Sequence, residues 1–220
     1  MDNKNFSTLA ALLGFCYPPA EAAALAERLF RKFNTLANVV DAGVRELMSV
    51  KGMTDESVRL LKMQTSIAEA CLEDKVRSSS DVVRCKDDLL KYLNLKLGRS
   101  RIEKLMAIYL NAKCGVLGME VVTKGSVDHA VVYMRRVVDS ALRHNARAII
   151  FVHNHPSGDP SPSKADWNMA VTLRRVLGSV DITVYDYLII GRGNHFSGRE
   201  RGWLAGAENS AMPSYFVHEG

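Results

Sequence analysis

Residues 148–152 read Ala-Ile-Ile-Phe-Val, five apolar side chains in succession. A run this short falls below helix length, and with no polar position it has no face to turn to water, so it reads as a strand covered on both sides. Covering both faces of a strand requires a layered α/β arrangement. The neighbouring segments agree. Residues 105–110 and 119–122 are apolar strand candidates, and the stretch 111–118 between them contains Gly115 and Gly118, which predicts a hairpin. Residues 133–142 and 167–177 repeat apolar positions at helical spacing, and 182–190 closes the sheet. The expectation is an α/β sandwich with a mixed sheet.

Before residue 101 the periodicity is helical, at 20–33, 44–48 and 57–72, with a polar stretch at 77–81 and one more helix over 81–97. The predicted organisation is a helical domain over 1–77, a linker and connecting helix over 78–98, the α/β domain over 99–206, and an aperiodic tail over 207–220. A chain of 220 residues, 47% hydrophobic, can bury a core in each of two such domains. Residues 1–77 hold 10 Lys/Arg and 10 Asp/Glu, so the whole net charge of +5 lies beyond them. No apolar run approaches the roughly 20 residues of a membrane helix, and residues 1–12 lack a secretory layout, so no membrane partner and a cytoplasmic location are expected. The four cysteines, Cys16, Cys71, Cys85 and Cys114, are scattered, and the expectation is reduced, mostly buried thiols.

The apolar run ends directly in His153-Asn154-His155-Pro156. In extended backbone, residues two apart project to one face, so the imidazoles of His153 and His155 can aim at a single point. Three prolines and a glycine then turn the chain, and Ser163 with Asp166 three residues later marks a helix start that can bring Asp166 back toward the histidines. Two imidazoles and one carboxylate suit zinc and leave its fourth tetrahedral position open, as in a catalytic site. Taken singly, a His-x-His pair is a weak signal and Asp166 is an ordinary capping acid; together, after a strand and across a tight turn, they point to a metal. The Cys-x-x-Cys of nucleobase deaminases and the His-Glu-x-x-His helix of the commoner metalloproteases are both missing.

His153, His155, Pro156, Ser163 and Asp166 resemble the JAMM signature of JAB/MPN metalloproteases and deubiquitinases. The fuller string from His153 to Asp159 is similar to the RadC-type branch, as are Lys124-Gly125-Ser126, Arg135, Ile189-Ile190-Gly191, Ser197 and Glu200-Arg201-Gly202. The resemblance covers residues 99–204. It implies a JAB/MPN mixed-sheet sandwich, cytidine-deaminase-like, preceded by a small all-α helix-hairpin-helix-like domain. It also implies a zinc-dependent peptidase or isopeptidase in which His153, His155 and Asp166 hold Zn2+. A glutamate serves as general base in such proteins: Glu103, before the first strand, or else Glu120. Ser163 would hydrogen-bond the oxyanion or the bound water, or act as an N-cap. Arg135 stays outside this site, as a substrate contact or a solvated helix residue. Two positions depart from the RadC-type pattern: Met134-Arg135-Arg136 replaces Pro-Arg-Glu, and Tyr187 replaces a histidine. Neither is expected to touch the metal ligands.

In the first domain, Val50-Lys51-Gly52-Met53-Thr54 resembles the hairpin by which such modules bind the DNA backbone. Thr54 stands where a second glycine would, and the region is charge-neutral, so the alternative is a helical interaction domain. The partners in view are therefore a protein or peptide substrate, or DNA. An accessory role in DNA repair with a structural or vestigial metal site, and a non-catalytic partner-binding JAB domain, are the competing functions.

Overall fold

A computed structural model describes residues 3–125 and 130–204 of the chain. Their contacts divide into two compact units, Met1–Ala70 and Cys71–Gly220. The first unit is helical, with α1 (Asn3–Leu13), α2 (Pro19–Phe33), α3 (Leu36–Asp41), α4 (Val44–Met48) and the first part of α5 (Asp55–Ser78). Its core is made by Leu9, Leu13, Leu25, Leu29, Val39, Leu47 and Leu61, spaced along these helices as their periodicity requires. Gly52, with φ of 97°, turns the chain between α4 and α5. Thr54, in place of a second glycine, caps α5: its hydroxyl accepts the Ser57 N–H at 3.3 Å and its own N–H donates to Ser57 Oγ at 3.0 Å.

The second unit carries α6 (Lys86–Lys96), β1 (Lys104–Leu110), β2 (Val116–Lys124), α7 (Ala130–Arg143), β3 (Ala148–Asn154), α8 (Lys164–Gly178), β4 (Thr183–Ile190) and β5 (His195–Ser197). The strands lie in the order β2-β1-β3-β4-β5. β3 and β4 are parallel, joined through α8, and the other pairs are antiparallel. This mixed α/β architecture is the one expected. β3 is covered on both faces: Ile149 and Phe151 pack with residues of α7 and α8, and Ile150 and Val152 pack with α6 and the end of α5.

Several details differ from expectation. The division between the units falls inside α5, because its last turns carry Leu72 and Val76 into the core beneath the sheet. Residues 81–97 are not one helix: a turn precedes α6, with Asp81 Oδ1 accepting the Val83 N–H at 2.8 Å. The sheet ends on β5 rather than on β4, a strand of three residues too short to leave a periodic trace. None of the four cysteines is buried; Cys16 and Cys71 are exposed, since they lie off the apolar faces of their segments. The expected tail over 207–220, and Ser126, lie outside the described residues.

Candidate metal centre

β3 delivers the two histidines. Its last residues pair with β1 and β4, with His153 opposite Leu105 on one side and Ile189 on the other. His155 follows just past the strand end, where its N–H still donates to Ile190 O at 3.1 Å. The rings meet edge to face with centroids 5.1 Å apart. The loop that follows is seated on Gly191, where a Cβ would lie 2.4 Å from Gly158 O, so a glycine is required for the backbones to approach this closely. That seat lets the prolines return the chain to Ser163 at the start of α8.

There Ser163 and Asp166 form a capping box. Ser163 Oγ accepts the Asp166 N–H at 3.2 Å, while Asp166 Oδ2 accepts the Ser163 N–H at 2.8 Å and its hydroxyl at 2.6 Å. The cap therefore fixes the carboxylate as well as the helix. Asp166 Oδ1 lies 2.7 Å from His153 Nδ1, and Oδ2 lies 3.4 Å from His155 Nε2. Ligand atoms of His153, His155 and Asp166 all lie within 4.8 Å of one another, a grouping that could hold a metal ion.

The Nδ1–H of His155 donates to Asp159 O at 2.9 Å, so in the neutral ring Nε2 presents a lone pair toward an Asp166 oxygen. Two lone pairs facing each other need a proton or a cation between them. The hydrogen bond to Asp166 accordingly raises the His155 pKa, against the opposing effect of burial. On His153, Nδ1 donates to Asp166 Oδ1, which leaves Nε2 buried with no partner among the described residues. A buried, unpartnered nitrogen costs roughly 1–3 kcal/mol unless something outside the chain satisfies it. Burial would raise the Asp166 pKa, but the hydrogen bonds from His153, His155 and Ser163 prevail and hold the carboxyl far below its usual range. Two imidazoles and an ionised carboxylate converge here with one buried imidazole nitrogen unsatisfied, a donor set of the zinc type.

The two glutamates differ. Glu103 lies two residues before Leu105, on the same face of the extended chain, and continuing the β1–β3 register sets it across from His155. The raised pKa of His155 owes most to its hydrogen bond to Asp166 and that of Tyr187 most to burial, and the charge of Glu103 adds a smaller push in the same direction to both. Glu120 pairs with Ala107, further along β1, and its Oε1 accepts the hydroxyls of Tyr109, at 2.7 Å, and of Ser140. Arg135 is exposed on α7.

Residues 83–203 match the RadC-like JAB domain. The chain belongs to the RadC family. Similar relatives are UPF0758 proteins: one from Chromobacterium violaceum is 36% identical over 183 residues, covering 83% of this chain and 81% of the relative. One from Fusobacterium nucleatum is 30% identical over 205 residues, covering 90% and 88%. One from Ruegeria pomeroyi is 33% identical over 200 residues, covering 91% and 89%.

Two neighbouring residues of β4, Asp186 and Tyr187, bear on the site and its surroundings. Tyr187, expected to stand clear of the ligands, does not: fully buried, its hydroxyl lies 3.4 Å from Asp166 Oδ1, because parallel pairing of β3 with β4 brings its ring beneath α8. Burial and the Asp166 charge raise its own pKa well above the ordinary value, so it remains a donor. Asp186, which sequence reasoning left without a role, fastens the segment after β5. It accepts Ser197 Oγ–H at 2.7 Å, Arg199 N–H at 2.9 Å and Tyr187 N–H at 2.7 Å. A buried acid before a fixed Ser-x-x-Glu segment was the only signal, and pairing them requires β5, which the sequence did not reveal.

Proposed function

We propose that this RadC-family protein is a zinc-dependent hydrolase of peptide or isopeptide bonds, with His153, His155 and Asp166 as metal ligands and Glu103 as general base. The observation that carries the reading is the converging His-His-Asp set, with His153 and Asp166 buried and His153 Nε2 left without a partner among the described residues. Zinc bound there would supply a Lewis acid and lower the pKa of a coordinated water toward about 7. Glu103 takes a proton from the attacking water and returns it to the departing amine, so that it ends the cycle ionised as it began. Ser163 holds Asp166 through the capping box, and any contact it makes to an oxyanion is additional to that bond. Glu120 is the poorer base, because its carboxylate is already occupied by two hydroxyls.

Plasma mass spectrometry on chelator-free protein tests the site, with wild type beside His155→Ala and Asp166→Ala. About one zinc per chain, lost in both variants, is the expected result; metal absent from wild type overturns it. A peptide-library digest by wild type and Glu103→Gln then tests the chemistry, and equal cleavage by both removes Glu103 from it.

A second reading, an accessory role on DNA, is favoured by one observation: the entire positive surplus lies beyond residue 77. It requires DNA binding that weakens steeply with salt, and salt-independent or absent binding counts against it.

A further inference from the structure

Asn154 stands between the two histidines and has no part in the chemistry above. Strand alternation turns its side chain away from the imidazole face, and it is 1% exposed. Both ends of its amide are engaged on the start of β1: Oδ1 accepts the Lys104 N–H at 2.9 Å, and Nδ2 donates to Ile102 O at 3.2 Å. The residue between these two anchors is Glu103, whose carbonyl in turn accepts the Gly125 N–H at 2.8 Å. The paired register of β1 with β3 runs only as far as Leu105 opposite His153. Beyond that point a side chain takes over from the main-chain ladder and carries β1 one step further toward the metal site.

We infer that Asn154 is a positioning residue: it clamps the backbone on both sides of Glu103 and so fixes the carboxylate opposite His155. The inference rests on the reading of Glu103 as the base. Its physical basis is the steep dependence of proton transfer on placement, where a displacement of about 1 Å can cost ~10²-fold in rate. Glu103 opens a strand after an irregular segment, where the other ties among the described residues are its carbonyl bond to Gly125, the local bonds of Ile102 to Ser100 and the pairing of Lys104 with Lys124. One residue type thus serves two ends: the segment that presents the histidines also sets the glutamate, through the amide between them.

The test uses the full-length protein loaded with cobalt(II), whose visible spectrum follows ionisation of the bound water without any substrate. Wild type, Glu103→Gln, Asn154→Ala and the double variant are titrated with pH. Glu103→Gln is expected to move the midpoint by about one unit or more, the size a neighbouring carboxylate produces. Asn154→Ala should move it in the same direction, the double variant should move no further than Glu103→Gln, and all four should bind one cobalt. Backbone hydrogen exchange at Lys104 should quicken in Asn154→Ala. A wild-type midpoint in Asn154→Ala, or a shift that adds in full to that of Glu103→Gln, overturns the inference. So does loss of cobalt from Asn154→Ala, which would make Asn154 a support of the histidines instead. An unchanged midpoint in Glu103→Gln removes the base reading itself, and the inference with it. Should Asn154→Ala fail to fold, Asn154→Ser, which is uncharged and too short to hold both Lys104 and Ile102, enters the same cycle.

Discussion

Two polar clusters open onto the same face of β1 and end differently. At Glu120 the carboxylate receives hydroxyls from Tyr109 and Ser140, and His144 stacks on Tyr109 with centroids 4.3 Å apart while its Nδ1 meets Ser140 O at 2.8 Å. Burial would raise the Glu120 pKa, but the hydrogen bonds from Ser140 and Tyr109 lower it, and the set is complete within the protein. At His153, His155 and Asp166 one buried nitrogen, Nε2 of His153, is left without a partner among the described residues. Similar residue types thus give a finished structural cluster in one place and an unfinished one in the other. The unfinished one is the candidate for a ligand from outside the chain, since a buried polar group left unsatisfied is a standing cost.

The largest effect expected from breaking this contrast is on metal affinity. Asp166→Ala should lower zinc affinity, measured by competition with a chelator, by more than the roughly 10- to 100-fold that changes outside the ligand shell cost. Glu120→Ala should leave it unchanged, and a comparable loss in Glu120→Ala would erase the distinction between the clusters. Next in size is Tyr187→Phe, which removes a donor to Asp166 and should weaken zinc binding about 10-fold with little change in unfolding midpoint. No change in affinity would make Tyr187 a packing residue only. Ser140→Ala should cost about 1 kcal/mol in denaturant unfolding, as a single lost hydrogen bond does, with metal content unaltered. The smallest effect is pH-dependent. Because the folded-state pKa of Glu120 is depressed, its contribution is fully present above its ordinary value of 4.5 and is lost as pH falls through the folded value. Wild type should therefore lose its stability advantage over Glu120→Gln on acidification below about pH 4.5, and a constant difference from pH 7 to pH 3 would contradict the assignment.

The motif residues were legible because each obeys a local rule. An apolar run announced β3, alternation set the two histidines on one face, and Ser-x-x-Asp announced the start of α8. The helices of the first unit were likewise visible in their periodicity, whereas the break at residues 81–85 was hidden by polar residues that suit helix starts and turns equally. The short strand β5 had too few residues to alternate, and with it went the partner of Asp186.

Sequence by itself therefore determined the layered α/β class, the kind of residues at the site and the spacing that lets them converge, since these follow from backbone geometry over a few residues. Only the tertiary structure decided that Tyr187 reaches Asp166 and that Asn154 grips the residues around Glu103. Each of those depends on strand register, on β1 against β3 or β3 against β4, and register is fixed by packing between segments about 35 to 50 residues apart in the chain.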